Sequence, residues 1–266
     1  MSIYKELSYE QNVDLVSGIQ FSVMGADEIR KRSVAEILST DTYAGNEPIH
    51  GGLFDPRMGV TDHSKICTTC EQKNTFCPGH FGHIELAKPL FYIHYFDTIK
   101  KLLKCVCFKC SKLLIDKEST ELKKILNKKI SRQKKFDAIY KICSKNKIKR
   151  CGKLKDEATE NNGCGAKQPT KITKDNIGKI ILQWKDKDNK DDENEEEDTQ
   201  VYLASDILKI LSRITDEDSD ILGFPKKINR PENLICQVFP VCPPAVRQSV
   251  TNDTGQRCHD DLTHKL

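Results

Sequence analysis

The feature that most constrains the fold of this chain is a stretch rich in cysteine and histidine, residues 67–86. It reads CTTCEQKNTFCPGHFGHIEL, in which Cys67 and Cys70 form a C-x-x-C pair and Cys77 and His80 repeat the same spacing. Three thiolates and one imidazole are donors that complete a closed, tetrahedral structural zinc site. We therefore predict one zinc ion held by these four residues. The alternatives are a reduced cysteine cluster or a disulfide pair, but spacing and ligand type together favour zinc.

His83 lies three residues beyond His80 and competes with it for the fourth position. The segment from Cys77 to His80 is the shorter one, and it contains Pro78 and Gly79, which favour a tight turn between ligands. We therefore assign His80 as the ligand. His83 is predicted to be a packed or hydrogen-bonded neighbour.

The composition indicates a chain from a reducing compartment. It has 266 residues, twelve cysteines and 37% hydrophobic residues, with a mean hydropathy of −0.56. No apolar run approaches the roughly 18 residues of a membrane helix, and the start, MSIYKELSYEQ, lacks the pattern of a secretory signal. Under those conditions, C-x-x-C pairs favour metal sites over disulfides, and we expect no membrane association.

A second C-x-x-C pair, Cys107 and Cys110, follows an apolar segment that starts at Leu90. Apolar residues continue from there at helical spacing, which predicts a core helix that leads to the pair. The remaining ligands must come from farther along the chain. Three cysteines are candidates there: Cys143, Cys151 and Cys164.

The segment between these cysteines, residues 116–149, predicts two helices, or one broken helix, that project as a hairpin. Apolar residues recur at helical spacing from Leu122 to Ile130 and again from Phe136 to Tyr140. Cys143 continues the second stripe, so we expect a buried thiol there instead of a ligand.

This arm of the chain is strongly basic. Residues 100–155 contain 20 Lys and Arg against four Asp and Glu, a net charge of +16, whereas the whole chain carries +4. Such a field attracts polyanions, although a solvated lysine-rich surface is the alternative. No base-reading helix stands out, so we expect contacts with nucleic acid to be sequence-independent and salt-sensitive. The candidates on the hairpin are Lys128, Lys129, Arg132, Lys134 and Lys135.

Short elements are predicted before the first cysteine pair. The alternation of Ile19, Phe21 and Val23 predicts a half-buried strand. Residues 26–30 are predicted to form a short helix with acidic residues in its first turn, and residues 33–38 a second strand.

Beyond the basic arm, residues 185–198 form a mostly acidic, low-complexity run that we expect to be a disordered loop. Ser205 is predicted to cap the helix that follows. A second short helix is predicted to start near Asp216 and to stop at Gly223.

Four strings carry a family resemblance. GGLFDPRMGVTD at residues 51–62 and CPGHFGHIELA at 77–87 are long and ungapped; GCGAKQPT follows at 163–170 and FPVCPPAVR at 239–247. Together they resemble the N-terminal clamp region of the largest subunit of multisubunit DNA-directed RNA polymerases of the eukaryotic, archaeal and large-DNA-virus type. The resemblance extends over residues 19–266, interrupted by the acidic run.

The resemblance implies an irregular α+β fold, in which a zinc-stapled clamp core carries a mainly helical clamp head with a zinc-tied helical hairpin. It assigns the first part of the clamp core to residues 1–92 and the clamp head to residues 93–235. Residues 236–266 would return to the clamp core and begin the lid. The lid loop, similar to residues 249–256, helps in this family to separate nascent RNA from the template strand.

The resemblance also implies the ligands of a second zinc ion: Cys107, Cys110, Cys151 and Cys164. Cys164 corresponds to the cysteine of the GCGAKQPT string, and Cys151, which a glycine follows, is the better match for the third ligand. The spacing between Cys143 and Cys151 departs from the family, so Cys143 remains the alternative.

A third ligand set is conceivable but disfavoured, because none of its members forms a tight knuckle. Its members are Cys242, Cys258, His259 and His264.

Arg57 in the first string either holds a partner segment through its guanidinium or is solvated beside an ordinary turn at Asp55 and Pro56.

The function implied is to help hold DNA and the DNA–RNA hybrid in the cleft of a polymerase during transcription. Arg247 and Arg257 would lie near nucleic acid, with ordinary surface charge as the alternative. The family motif NADFDGD, whose aspartates hold the catalytic magnesium, is absent. We therefore expect no catalytic residue here: magnesium belongs to the full enzyme, and this chain alone should be inactive.

The implied partners are the second-largest subunit, the remainder of the largest subunit, other polymerase subunits, DNA and RNA. The implied location is the nucleus of a cell or, for a virus, the host cytoplasm, viral factory or virion. A free-standing zinc-dependent, sequence-independent nucleic-acid-binding protein is the alternative. A metalloenzyme is disfavoured, because both predicted sites are closed and leave no position for water.

Overall fold

The computed structural model describes residues 16–146, 150–152, 163–175, 178–184, 198–226, 228–252 and 257–266. Its helices are α1 (Ala26–Arg32), α2 (Phe96–Cys105), α3 (Thr120–Leu126), α4 (Arg132–Asn146), α5 (Ala204–Ser212), α6 (Asp216–Ile221) and α7 (Asp261–Lys265). Its strands are β1 (Ala35–Glu36), β2 (Tyr43–Ala44), β3 (Glu47–Pro48), β4 (Gly82–Phe91), β5 (Lys171–Lys174), β6 (Ile180–Trp184), β7 (Asp198–Tyr202), β8 (Ile235–Val241), β9 (Val250–Thr251) and β10 (Arg257–Cys258).

A small sheet with the order β1-β4-β8 supports the smaller of two hydrophobic cores. Strand β4 pairs in parallel with β1 and antiparallel with β8. The apolar residues of the loop before the first cysteine pair pack against this sheet, because the loop alone cannot bury them. The buried members of the smaller core are Ala35, Ile37, Leu53, Phe54, Met58 and Val241.

The larger core lies among α2, the α3–α4 hairpin, α5 and a three-stranded antiparallel sheet with the order β5-β6-β7. Helix α2 contributes Ile99 and Leu102, both fully buried, and α5 contributes Ile207 and Leu211. These positions recur at intervals of three and four residues, so one face of each helix enters the core.

Strands β4 and β8 connect the two cores. Their register runs from Gly82 opposite Val241, beside the smaller core, to Phe91 opposite Ile235, beside the larger one. The register shifts between Glu85 and Leu90. The chain therefore enters the larger core along β4 and leaves it along the neighbouring strand β8.

The predicted hairpin is present as two helices, α3 and α4. Ser119 begins α3, because its hydroxyl accepts a hydrogen bond from the N–H of Leu122. Leu122 and Ile139 are fully buried between the helices and the rest of the larger core, and Cys143 is buried on the same face of α4. Cys143 is thus a core thiol, as its position on the helical stripe predicted.

The strand predicted at Ile19 to Val23 is wrong. These residues are described without strand pairing, and the side chains of Ile19 and Phe21 are 82% and 93% exposed. Alternation alone does not form a strand when no neighbouring strand offers backbone partners. Helix α1 is confirmed, whereas the second strand shrinks to the two residues of β1.

Other boundaries also differ from the predictions. The apolar run from Leu90 continues strand β4 to Phe91, and helix α2 begins only at Phe96. Leu203, not Ser205, precedes helix α5, and its N–H donates to the Asp206 carboxylate. The sheet β5-β6-β7 had no counterpart among the predictions. Helix α6 and its end before Gly223 are confirmed.

The mixture of short helices and small sheets agrees with the predicted α+β class, while the division at residues 92 and 235 stays a prediction. Of the acidic run, residues 185–197 lie outside the described residues, and so do residues 253–256 of the lid segment. Within the described ranges, every helix is too short or too polar to cross a bilayer.

Candidate metal centres and nucleic-acid surface

The first candidate metal centre consists of Cys67, Cys70, Cys77 and His80. One ligand atom from each of these residues lies within 4.8 Å of the other three. The Cys77 sulfur is 3.7 Å from His80 Nε2. Cys67 is fully buried and the other three residues are half-buried. The donors therefore converge on one point beneath the surface.

A tight backbone loop presents the first cysteine pair. The N–H of Cys67 donates to the Gln72 carbonyl at 3.0 Å, and the N–H of Glu71 donates back to the Cys67 carbonyl at 2.9 Å. Glu71 closes the loop with φ at 56°, a left-handed conformation. The loop is attached to the smaller core, because His80 N–H donates to the Met58 carbonyl at 2.9 Å.

The second candidate centre consists of Cys107, Cys110, Cys151 and Cys164, again within 4.8 Å of one another. Two of its sulfur–sulfur distances are 3.6 Å, from Cys107 to Cys164, and 3.7 Å, from Cys110 to Cys151. Tetrahedral zinc–sulfur bonds of about 2.3 Å place two ligand sulfurs about 3.8 Å apart. All twelve cysteines are free, and a disulfide would need about 2 Å between sulfurs.

The loop geometry of the first pair recurs once in the second centre. Cys107 N–H donates to the Lys112 carbonyl at 2.8 Å, and Ser111 closes that loop with φ at 61°. The same hydrogen-bond pattern joins two separate segments at the other ligands. Cys151 N–H donates to the Ala166 carbonyl at 2.9 Å, and the N–H of Gly165, with φ at 68°, donates back to the Cys151 carbonyl at 3.0 Å.

Glycine is required where the last two ligands of the second centre meet. A Cβ on Gly163 would lie 2.4 Å from the Cα of Gly152, closer than real atoms approach. Cys151 and Cys164 are each next to one of these glycines, so the two chain segments can come together only without side chains there.

The loops also act on the thiol pKa values. Burial opposes ionisation of these thiols, but hydrogen bonds from nearby N–H groups and sulfurs outweigh it at two of them. They lower the pKa of Cys67, and they lower the pKa of Cys164 to about 7. Burial raises the pKa of Cys77 to about 11 and raises that of Cys151, with neighbouring sulfurs adding to the effect. A dication would stabilise every thiolate in each group, so the donor sets fit zinc.

Comparison with known proteins gives the family. A family model described as RNA polymerase Rpb1, domain 1, matches residues 13–266. The chain belongs to this family. It is 41% identical over 255 residues to the DNA-directed RNA polymerase II subunit RPB1 of Euplotoides octocarinatus, covering 94% of this chain and 51% of that protein. The chain thus spans about half the length of the curated relative it matches, and the predicted family resemblance is confirmed.

Several residues of this Rpb1-family chain stand outside both groups. His83 Nδ1 forms a 2.7 Å hydrogen bond with the Ser33 hydroxyl. This agrees with the prediction that His83 is a hydrogen-bonded neighbour of the first centre and not a ligand. Among the described residues, no third group of metal-binding side chains occurs, so the set that includes Cys242 and Cys258 does not assemble.

The Arg57 guanidinium is occupied within the chain. It forms two hydrogen bonds with Asp55, at 2.9 and 2.7 Å, and Asp55 also accepts from the Gly51 N–H at 2.6 Å. Burial would raise the pKa of Asp55, but these hydrogen bonds hold it below its usual value. Arg57 therefore supports its own turn.

The hairpin presents the predicted basic residues unevenly. Lys128, Lys129, Arg132 and Lys134 are exposed, and none of them has an ion pair with another described residue. Lys135 is half-buried and donates to the Leu126 carbonyl at 3.1 Å, which fixes the end of α3. Four of the five residues are thus available to a polyanion.

Arg247 is not placed for contact with nucleic acid. Its side chain is fully buried and donates to the carbonyls of Cys242 and Leu53 and to the Thr263 hydroxyl. Its guanidinium also lies 4.9 Å from the ring centroid of Phe54. The prediction failed because a surface arginine and a buried one that ties three chain segments together look alike in sequence.

Arg257 stays partly accessible. Its guanidinium carbon lies 4.0 Å from the ring centroid of Tyr43, a cation–π contact. The side chain is half-buried, and its contact with nucleic acid stays a prediction.

Proposed function

We propose that this chain is the N-terminal clamp portion of the largest subunit of a DNA-directed RNA polymerase, with one zinc ion in each cysteine-containing group. The observation that carries the proposal is the family match over residues 13–266. The donor sets of both groups, and the sulfur separations of the second, support zinc as the metal.

Each ion would close a different part of the fold. The first would fix the loop from Cys67 to His80 against the smaller core. The second would join Cys107 and Cys110, which follow α2, to distant cysteines: Cys151 lies 41 residues beyond Cys110, and Cys164 lies 57 residues beyond Cys107. Metal binding contributes folding free energy where a long loop must be closed, so each ion is structural.

The exposed cations of the hairpin would hold the phosphate backbone of DNA in the cleft. Lys128, Lys129, Arg132 and Lys134 have no ion pair among the residues that the structure describes, and lysine predominates among them. Lysine binds phosphate as a point charge without reading bases, so the contact is sequence-independent.

The remaining assignments rest on the family. The chain would act as part of a nucleotidyltransferase, with magnesium bound elsewhere in the full enzyme, and would be inactive alone. Its partners would be the second-largest subunit, the remainder of the largest subunit, DNA and RNA. The named relative belongs to RNA polymerase II, which favours the nucleus over the viral locations.

A pull-down of the tagged chain from native extract tests the proposal. Recovery of other large polymerase subunits, with about two zinc ions per chain by elemental analysis, is the expected result. A chain that arrives alone but still binds DNA would instead support the free-standing zinc-dependent nucleic-acid-binding protein.

A further inference from the structure

Gln168 makes an unusual contact with the second candidate centre. Its side-chain amide nitrogen, Nε2, lies 3.2 Å from the sulfur of Cys107 and 2.9 Å from the carbonyl oxygen of Ala166. Gln168 is only 6% exposed. The Ala166 carbonyl also accepts the N–H of Cys151, so one buried amide connects the two halves of the centre.

The orientation of this amide is defined by its partners. An amide NH₂ group has two hydrogens, and here one faces a carbonyl and the other a sulfur. The reversed orientation would set the amide oxygen against the Ala166 carbonyl oxygen, with no hydrogen between two acceptors. Gln168 must therefore act as a donor toward Cys107.

The two centres differ in net charge, and the more negative one gains more from a hydrogen-bond donor. Four thiolates around a dication leave two surplus negative charges, whereas three thiolates and an imidazole leave one. Cys107 and Cys151 are both buried, at 0% and 3% exposure, so water does little to stabilise that charge. In the first centre, the sulfur of Cys67 lies near the backbone N–H groups of Thr69 and Cys70 and 3.9 Å from the Arg57 carbonyl. In the second centre, the Gln168 amide adds a side-chain donor to Cys107.

We propose that Gln168 is a positioning residue of the second centre: its hydrogen bond holds the Cys107 sulfur toward the metal and stabilises the surplus negative charge. This inference rests on the proposed binding of zinc by that centre. Partners that hydrogen-bond to metal ligands typically change metal affinity by about 10- to 100-fold. The second ion should therefore depend on Gln168, and the first should not.

The test uses Gln168→Met in the full 266-residue chain, because methionine preserves the length of the side chain and removes the donor. Zinc transfer to a chromogenic chelator is followed in time. In the wild type we expect two slow phases. In the variant, one phase accelerates by about tenfold or more while the other is unchanged. Gln72→Met is the matched control, since Gln72 is exposed beside the first centre.

Cobalt substitution separates an effect on the thiolate from loosened packing. Without the hydrogen bond, the Cys107 sulfur is more electron-rich, so the sulfur-to-cobalt charge-transfer band of Gln168→Met should move to longer wavelength. A change of packing that leaves the coordination geometry intact does not make the sulfur more electron-rich, so it would not move that band to longer wavelength. If the methionine variant does not fold, Gln168→Glu preserves the shape and turns an oxygen toward the sulfur, and it should release one ion faster still.

The outcomes are distinguishable. A wild-type chain that binds no metal contradicts the proposed zinc centres themselves. A wild type with two ions, together with Gln168 variants that have wild-type release rates and an unshifted cobalt band, overturns the role of Gln168 alone.

Discussion

Neutralising the exposed lysines of the hairpin should weaken DNA binding by a predictable amount. The variant replaces Lys128, Lys129 and Lys134 with glutamine. All three are exposed and unpaired among the described residues, so the change removes three charges and breaks no ion pair. The matched control makes the same change of charge at three exposed lysines elsewhere, Lys31, Lys88 and Lys265.

The magnitude follows from counterion release. Each phosphate that a cation neutralises contributes about 0.9 to the slope of log affinity against log salt concentration. Three lost contacts therefore reduce the slope by about 2.7. Raising the salt concentration fourfold, from 50 to 200 mM, weakens the binding of both proteins. The fold-loss of affinity should be about 40 times larger for the wild type than for the variant.

Fluorescence anisotropy with a labelled DNA duplex, titrated at four or more salt concentrations, measures both slopes. We expect the same result with duplexes of unrelated sequence, because lysine–phosphate contacts do not read bases. The reasoning is refuted if the hairpin variant has the wild-type slope, or if the control lowers the slope as much.

Three further predictions concern stability and metal content. Cys151→Ala should retain about one zinc ion per chain and Cys143→Ala about two, as elemental analysis would measure; equal losses would remove the assignment of Cys151. Arg247→Met should lower the free energy of unfolding in urea by about 2–4 kcal/mol, because buried carbonyls lose their donor, while the exposed Arg213→Met should have almost no effect. Asp55, whose pKa is depressed in the folded chain, stabilises the fold above the pKa of the unfolded chain, and this contribution is lost as pH falls through the folded pKa. The stability difference between wild type and Asp55→Asn should therefore be largest near neutral pH and shrink below about pH 4; a difference that is constant with pH would contradict this account.

Local patterns predicted the local parts of this molecule. The spacing of Cys67, Cys70, Cys77 and His80 lies within one turn-rich segment, so residue type and spacing almost determine which atoms converge. The two hairpin helices and the core position of Cys143 followed from helical periodicity in the same way.

Features that depend on distant segments were not accessible from patterns. Arg247 is buried because Leu53, about 190 residues earlier in the chain, supplies a carbonyl to it. Gln168 belongs to a string that the family resemblance singled out, but only the fold brings its amide to Cys107. The short strand β5 was missed because four residues hold little periodic signal.

The pairing of β4 with β8 has a consequence for the architecture of the chain. Leu90 lies directly opposite Cys236, and opposed residues in antiparallel strands are about 5 Å apart. A two-residue turn spans such a gap, so everything between these positions is topologically an insertion into a hairpin. We expect that a shortened chain, in which the residues between Leu90 and Cys236 are replaced by such a turn, would still form the three-stranded sheet β1-β4-β8.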